Sequence, residues 1–317
     1  MPAGDDMDVR QLKALVTVVE VGSVTRAAEL LHLVQPAVTR QIRSLEHELG
    51  VPLFERTRQG MRPTPAGVSL AERARRALTE LDRARAEITP TPGVVAGIVA
   101  VGLLESTAEL LAEPLARAVM RSHPDIELRL QTAYSGHLQR WLDDGDLDLS
   151  LLYNLTSTPS LNVTSLVREQ LWAVAPASAG LDPAHPVRLA DVAGRPLVMP
   201  TPGHGLHTLI TSGARQAGVE ITAVVHTNAM NLQKQLVRGL HGWTVLPAVG
   251  IAADLAAGTL SAAPLSEPEI WRSIVLGMPR TGQVPPAVEV VARELVVQVE
   301  SLVHSGQWPS GRLDRGR

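Results

Sequence analysis

The 317-residue sequence predicts a mostly helical N-terminal part of about 90 residues, followed by a larger α/β part. As far as residue 88 the apolar residues recur at spacings of three and four, as on one face of a helix. A Pro- and Gly-rich stretch, 89–93, forms the predicted hinge. Beyond it, apolar runs alternate with amphipathic stretches, which is typical of α/β domains with a largely parallel sheet. Roughly 220 residues in this pattern fit two lobes better than one.

Helix caps organise the N-terminal part. Asp8 and Gln11 resemble a capping box, and Gly22 and Ser23 separate a first helix from a second. A third helix begins at Gln35–Pro36, because proline suits a first helical turn. Residues 53–62 then form a short strand, a Gly-containing turn and another short strand, which predicts a hairpin with a basic tip. Residues 8–65 are therefore predicted to form a winged helix-turn-helix, with the helix-turn-helix itself at 25–44.

A long helix follows, opened by Thr64–Pro65 and running to Ile88, with residues 66–88 as a linker. Its apolar residues alternate in steps of four and three, as in a coiled-coil seam, while its outward positions are highly charged. We expect this helix to dimerise with a second copy; the alternative is that it lies on its own domain. The seam consists of Leu70, Ala74, Ala77, Leu81, Ala84 and Ile88.

Composition excludes several classes of protein. The chain has no cysteine, which rules out disulfides, thiolate metal sites and cysteine nucleophiles. It has no apolar run of ~18 residues, so we expect no membrane span, and its acidic start differs from a secretory signal. We therefore expect a cytoplasmic location. The net charge is −3, but residues 26–76 carry nine arginines against five acids, so a modestly basic head precedes an acidic body.

The C-terminal part, 94–305, is predicted to be a ligand-binding domain. Lobe I covers about 94–166 and 270–305, lobe II covers about 167–269, and residues 306–317 form a flexible tail. The predicted strands are 94–103, 126–130, 147–152, 171–175, 196–199, 221–225, 243–246 and 273–277. The predicted helices are 107–121, 136–144, 204–217, 229–239 and 286–305.

Polar residues follow several of these strands, where ligands of open α/β sheets bind against helix N-termini. Hydroxyls and backbone donors there suit an anionic small molecule such as a carboxylate, while ordinary helix capping is the alternative for each residue. The candidates are Ser106, Thr107, Ser135, Thr201, Gly203, His204 and Asn228.

The segments 23–32, 35–42, 45–56 and 64–67 closely resemble LysR-type transcriptional regulators. The stretches 145–149 and 239–243 resemble the effector domain of that family, and 133–153 is weakly similar to its nitrogen-assimilation-control subgroup. The resemblance implies a two-lobed effector domain like type 2 periplasmic binding proteins. It also implies a homodimer and homotetramer on an interrupted inverted repeat of double-stranded DNA, an effector between the lobes, and contact with RNA polymerase in an activator.

In a helix-turn-helix, the N-terminal residues of the second helix reach base edges in the major groove. Here these residues are Gln35, Pro36, Ala37, Thr39 and Arg40. The amide of Gln35 suits adenine, and Arg40 suits guanine. A second group suits phosphates or the minor groove and comprises Thr25, Arg43, Arg56, Arg58 and Arg62.

Val34 departs from the family pattern, which has a hydroxyl residue before the Gln–Pro pair. The missing helix cap costs roughly 1 kcal/mol and one potential phosphate contact. We expect the docking mode to survive this change.

Enzyme signatures are absent from the sequence. Residues 203–208 start like a dinucleotide fingerprint but lack its third glycine, and no P-loop, HExxH or GxSxG occurs. Aspartates within 144–148 mimic a calcium loop without its required glycine. His204, His207 and His226 are better interpreted as polar histidines than as metal ligands. We expect a regulator without enzymatic activity, metal or cofactor; the alternative is a solute-binding protein of the same two-lobed fold.

Overall fold

The computed structural model describes residues 7–57, 60–88, 94–155, 158–280 and 284–314, with the backbone alone at 56, 82–83 and 85–88. The chain divides into two compact units, Met1–Pro90 and Thr91–Arg317. In the described part of the chain, no helix is long and apolar enough to cross a bilayer.

The first unit consists of three helices, a hairpin and a long helix. Its elements are α1 (Val9–Val21), α2 (Val24–Leu30), α3 (Gln35–Leu49), β1 (Phe54–Thr57), β2 (Gly60–Pro63) and α4 (Pro65–Ile88). The strands β1 and β2 pair antiparallel. This arrangement is the predicted winged helix-turn-helix followed by a long helix.

The predicted caps are confirmed. Asp8 and Gln11 form a reciprocal capping box at the start of α1, each side chain accepting from the other's backbone N–H at 2.8 Å. Gly22 ends α1 with a φ of 65°, in the left-handed region that favours glycine. The Ser23 hydroxyl accepts from the Arg26 amide at the start of α2. Sequence therefore specifies where these helices begin and end.

The start of α4 packs tightly on the wing. The Thr64 hydroxyl donates to the Pro52 carbonyl at 2.8 Å and accepts from the Gly67 amide at 3.0 Å. A side chain at Gly67 would clash, because its Cβ would lie 2.1 Å from the Leu53 carbonyl oxygen. Further along α4, Ala74 is buried in the core that α1, α2 and α3 form. The first half of α4 is therefore part of the compact first unit.

The second unit alternates helices with strands. Its helices are α5 (Glu105–Ser122), α6 (Ser135–Asp143), α7 (Leu189–Ala193), α8 (Gly205–Ala217), α9 (Met230–Arg238), α10 (Ala252–Ala256) and α11 (Pro286–His304), with 3₁₀ turns at Ala177–Ala179 and Ala248–Ile251. Its strands are β3 (Gly97–Leu104), β4 (Ile126–Ala133), β5 (Leu149–Tyr153), β6 (Leu161–Pro176), β7 (Val187–Arg188), β8 (Leu197–Met199), β9 (Ala223–His226), β10 (Thr244–Pro247), β11 (Leu260–Ser266), β12 (Trp271–Pro279) and β13 (Gly311–Leu313).

The sheet is mixed, so the prediction of a largely parallel sheet is wrong. Strand β3 lies parallel to β4 and β5, and β8 lies parallel to β9. The long strand β6, however, pairs antiparallel with β10, β11, β12 and β13. The reason is that β6 spans the whole unit and the chain returns beside it through β12. Local alternation of strands and helices does not reveal this return.

The second unit has two lobes with separate cores. Lobe I contains β3, β4, β5, α5 and α11 around buried residues such as Leu103, Leu151 and Leu295. The apolar clusters of lobe II lie among β8, β10, β11, α8 and α9. Strands β6 and β12 run through both lobes. The two lobes therefore meet where these strands cross between them.

The C-terminal segment is not a flexible tail over residues 306–314, so that prediction is wrong there; residues 315–317 lie outside the described part. Trp308 is 1% exposed, and β13 pairs with β6, Gly311 lying opposite Glu169. The indole N–H of Trp308 donates to the Glu169 carboxylate at 3.0 Å. An aromatic anchor and a buried acceptor therefore hold a segment whose composition suggests disorder.

Candidate functional site

The N-terminal end of α3 presents an accessible polar face. Gln35, Pro36 and Arg40 are exposed, while Ala37 and Thr39 are half-buried. Helix α3 is held from behind by the buried side chains of Val38, Ile42 and Leu45. The Thr39 hydroxyl donates to the Gln35 carbonyl at 3.1 Å, so this hydroxyl bonds to the backbone of its own helix. The exposed face is thus supported by a buried apolar side, which is compatible with the predicted contacts to base edges.

The residues predicted to contact phosphates lie on neighbouring surfaces. Thr25, Arg43 and Arg62 are exposed, and no carboxylate of the described residues lies within ion-pair distance of Arg43 or Arg62. The Arg56 side chain and all of Arg58 fall outside the described residues. Guanidinium groups beside α3 that have no carboxylate partner among the described residues suit a negatively charged ligand, in line with the predicted phosphate contacts.

Val34 precedes α3 with extended backbone angles and provides no side-chain cap. Its side chain is 69% exposed. The backbone there already has the geometry of an N-cap, so the departure from the family pattern removes only the hydroxyl.

The predicted coiled-coil seam divides into two parts. Ala74 is 2% exposed and Leu70 is half-buried, both against the core of the first unit. Ala77 and Leu81 are exposed, Ala84 is half-buried, and the Ile88 side chain lies outside the described residues. Among the seam residues whose side chains the structure describes, those in the second half of α4 are therefore the more accessible to another copy.

A small cavity of about 40 Å³ lies between the lobes of the second unit. It is large enough for only a few water molecules. Residues from both lobes line it, at the starts of α5, α8, α9 and β12 and at the end of β5. The polar members of the lining are Glu105, Ser106, Tyr134, Tyr153, His204, Thr227, Asn228, Gln233 and Arg272.

A buried ion pair lies beside this cavity, on the two strands that cross between the lobes. Arg272 of β12 is 2% exposed and Glu169 of β6 is fully buried. The Arg272 Nε and Nη2 donate to the Glu169 Oε2 at 2.8 and 2.7 Å, and Nη2 also donates to the Ser106 hydroxyl at 2.8 Å. The Arg272 guanidinium lies 5.6 Å from the Tyr153 ring centroid. Arg272 therefore joins the crossing strands to the start of α5.

His204 caps α8 at the opposite wall of the cavity. Its Nδ1 accepts from the Leu206 amide at 3.1 Å, so the ring proton lies on Nε2. The Tyr153 hydroxyl lies 3.4 Å from the same Nδ1, and Tyr153 donates. Burial, with smaller contributions from the charges of Arg272 and His207, lowers the pKa of His204 to about 4. The imidazole is therefore neutral near pH 7.

The structure brings three predicted effector residues, Ser106, His204 and Asn228, to the cavity. The Thr107 hydroxyl donates to the Leu104 carbonyl of its own helix turn, and the Ser135 hydroxyl accepts from the Tyr153 amide. The Thr107 hydroxyl therefore bonds within its own helix turn, and the Ser135 hydroxyl joins the start of α6 to the end of β5.

The remaining two candidates, Thr201 and Gly203, lie in the turn before α8 and not in the cavity lining. The Thr201 carbonyl accepts from the His204 amide. Gly203 has a φ of 88°, in the region that favours glycine. This turn positions His204 for the cavity.

Sequence reasoning missed the other six polar lining residues and Glu169 behind them. The six are Glu105, Tyr134, Tyr153, Thr227, Gln233 and Arg272. The available signal was a charged residue inside an apolar strand, since Arg272 and Glu169 interrupt apolar runs. Such a residue is rarely buried unless it is paired. Which two charges pair across the sheet is decided by register, which the sequence does not reveal.

Two family models match the chain. Residues 92–299 match the LysR substrate binding domain, and residues 9–68 match the bacterial regulatory helix-turn-helix protein, lysR family. Together they cover the winged helix-turn-helix and most of the two-lobed unit.

Curated relatives of similar length also match. The HTH-type transcriptional regulator BbuR of Bordetella bronchiseptica is 27% identical over 304 residues, covering 96% of this chain and 93% of that protein. The nitrogen assimilation regulatory protein nac of Klebsiella aerogenes is 29% identical over 298 residues, covering 93% and 96%. A hydrogen peroxide-inducible genes activator of Pectobacterium carotovorum is 28% identical, so these identities single out no subgroup.

Solved structures share the fold. CbnR, a LysR family transcriptional regulator, has a TM-score of 0.69 at 22% identity, with 92% of this chain and 99% of that one covered. A full-length OxyR variant from Pseudomonas aeruginosa has a TM-score of 0.67 at 19% identity, with 98% of each chain covered.

A winged helix-turn-helix joined to a two-lobed binding domain defines an effector-responsive, DNA-binding transcriptional regulator. The chain belongs to the LysR family of such regulators. This is a family of transcriptional regulators, not of enzymes or solute-binding proteins.

Proposed function

We propose that this regulator reads duplex DNA with the N-terminal end of α3 and is controlled by a small anionic effector between its lobes. The observation that carries the first half is the exposed face of Gln35 and Arg40 on a buttressed helix. A related structure, CbnR, is described in complex with its target DNA, which supports the same use of the head here. The cytoplasm, where the chromosome lies, is its place of action.

The active assembly is a dimer through the second half of α4 and a tetramer through the effector domains, and an activating form contacts RNA polymerase. Ala77 and Leu81, exposed on α4, support the dimer. Two heads held at a fixed separation would read two half-sites, and the spacing of the half-sites would follow from the dimer.

Control works by a shift between conformations. The cavity of about 40 Å³ is too small for a metabolite, so an effector binds a state in which the lobes are further apart. Ligand affects transcription only if its affinity for the two states differs. One relative is named as a hydrogen peroxide-inducible genes activator. Since this chain has no cysteine, it does not sense its signal through a thiol.

The proposed DNA contacts of the first unit are tested with four variants on two DNA fragments. We expect Arg40→Ala and Gln35→Ala to lose about 1–3 kcal/mol of binding on the intergenic DNA upstream of the gene and little on random duplex. Arg62→Ala, like Arg58→Ala, is expected to weaken both alike and to lower the salt slope by about one. Gel-shift titration at several salt concentrations measures this. Equal losses on both fragments for all the variants would contradict the assignment.

A further inference from the structure

A carboxylate of the protein already occupies an anion-binding position in the cavity. Glu105, the first residue of α5 in lobe I, accepts from the backbone amide of Met230 through Oε2 at 3.2 Å. Met230 is the first residue of α9 in lobe II. This contact joins two lobes across 125 residues of sequence. The amide it uses belongs to a helix N-terminus, where negative charge is favoured.

One turn along α9, Gln233 points to a missing partner. Its side chain is 4% exposed and lines the same cavity. Among the residues that the structure describes, nothing accepts a hydrogen bond from its buried Nε2. Buried amide donors are almost always satisfied, so an unpartnered one beside a cavity favours an acceptor that arrives from outside.

Two other donors of the cavity wall already have partners. The Leu206 amide of α8 donates to His204, and the Arg272 guanidinium is neutralised by Glu169. At the start of α9, an incoming acceptor can therefore bond to the unsatisfied Gln233 Nε2 and, by displacing Glu105, to the Met230 amide.

We propose that the effector is a small carboxylic acid whose carboxylate displaces Glu105 from the Met230 amide and accepts from the Gln233 amide group. This inference rests on the proposed effector site between the lobes. Glu105 acts as a tethered competitor: it holds the lobes together without ligand, and an acid must exceed its effective concentration to replace it. Displacing Glu105 removes one contact that closes the cleft, which couples binding to lobe opening.

The test uses the full-length protein with sodium acetate as the probe and sodium chloride at matched ionic strength as the control salt. Glu105→Ala removes the competitor, and we expect it to bind acetate at least about tenfold more tightly than wild type, since a charge-assisted acceptor position is vacated. Glu109→Ala, on the exposed face of the same helix, is the matched control and should behave as wild type. Calorimetric titration and the acetate-induced rise in Tm both report binding.

Glu105→Gln keeps the volume and an acceptor oxygen, so it should bind acetate with an affinity between those of wild type and Glu105→Ala. If Glu105→Ala does not fold, the comparison of Glu105→Gln with wild type still tests the proposal. Adding Gln233→Leu to Glu105→Ala should remove the gain. Equal acetate binding by wild type, Glu105→Gln and Glu105→Ala would overturn the proposal. So would tight binding of methylammonium by wild type that is lost in Glu105→Gln, because that result identifies Glu105 as a cation ligand.

Failure of this inference is distinguishable from failure of the proposed function. Gel shift of the same variants on the upstream DNA measures DNA binding by the first unit and does not depend on acetate binding. If DNA binding persists while acetate behaves identically in all variants, only the role of Glu105 is wrong.

Discussion

At the level of single residues, the cleft depends on polar side chains with several simultaneous partners. Glu169 accepts from Arg272, Trp308 and Ser310, so one buried carboxylate joins β6, β12 and the C-terminal segment. Removing one partner of a buried ion pair leaves an uncompensated charge, which is costly. Such a carboxylate therefore constrains the geometry around the cavity more than any single apolar contact does.

The neutral imidazole of His204 leads to a pH prediction. Its pKa of about 4 lies below the ordinary 6.5, so the unfolded state takes up the proton more readily. The stability that it contributes is fully present above about pH 6.5 and is lost as the pH falls towards 4. His204→Asn keeps a capping acceptor without this titration. We expect the difference in Tm between wild type and His204→Asn to shrink between about pH 7.5 and pH 5.

His241→Asn, which replaces an exposed histidine, is the control for that measurement. Its Tm should follow that of wild type across the same range. Parallel pH curves for wild type and His204→Asn would show that burial does not depress the pKa of His204.

Val34 offers a stabilising substitution. Its backbone is extended and its side chain exposed, so Val34→Ser places a hydroxyl where the α3 amides lack a side-chain cap. We expect a gain of about 1 kcal/mol in the free energy of unfolding of the first unit, measured by urea titration. Val51→Ser, at an exposed valine beyond the end of α3, should change little. A similar gain from both would mean that any exposed hydroxyl has this effect and that capping is not its cause.

At the level of secondary-structure elements, the longer helices were predicted closely, the five-residue helices α7 and α10 were missed, and strands were predicted less well. The helix predicted at 286–305 is observed as Pro286–His304, because capping and periodicity are local signals. Strands β7, β11 and β13 and the first half of β6 were missed. These strands are stabilised by pairing across long sequence distances, which a local window cannot contain.

The C-terminal strand leads to a prediction at this level. A chain ending at Ser305 loses Trp308 and two donors to the buried Glu169. We expect the second unit to lose roughly 3–5 kcal/mol of stability, the range for deleting a buried tryptophan side chain, as measured by urea unfolding. A chain ending at Asp314 keeps both anchors and should match wild type. An unchanged unfolding midpoint in the chain ending at Ser305 would show that the C-terminal segment does not stabilise the second unit, as expected of a flexible tail.

For the molecule as a whole, function depends on assembly. Leu81 is 43% exposed on the second half of α4, on the seam that the first half buries within its own unit. We expect Leu81→Arg to shift the protein towards monomer at micromolar concentration in sedimentation velocity, because a charge would replace the apolar contact. Its affinity for a two-half-site DNA should fall accordingly.

Val68→Arg places the same charge on the same helix, at an exposed valine outside the seam. It should sediment as wild type. Identical sedimentation of Leu81→Arg and wild type would place the dimer contact elsewhere.

The family, the order of the two units, the winged helix-turn-helix and the boundaries of most helices all follow from the amino-acid sequence. The signals for these are short-range: caps, periodicity and a contiguous motif of about sixty residues. The mixed sheet, the anchored C-terminal strand, the pairing of Arg272 with Glu169 and the choice of residues that face the cavity emerge only once the chain is folded. These features join residues as many as a hundred or more positions apart, and the partner of a buried charge follows from strand register rather than from its neighbours in sequence.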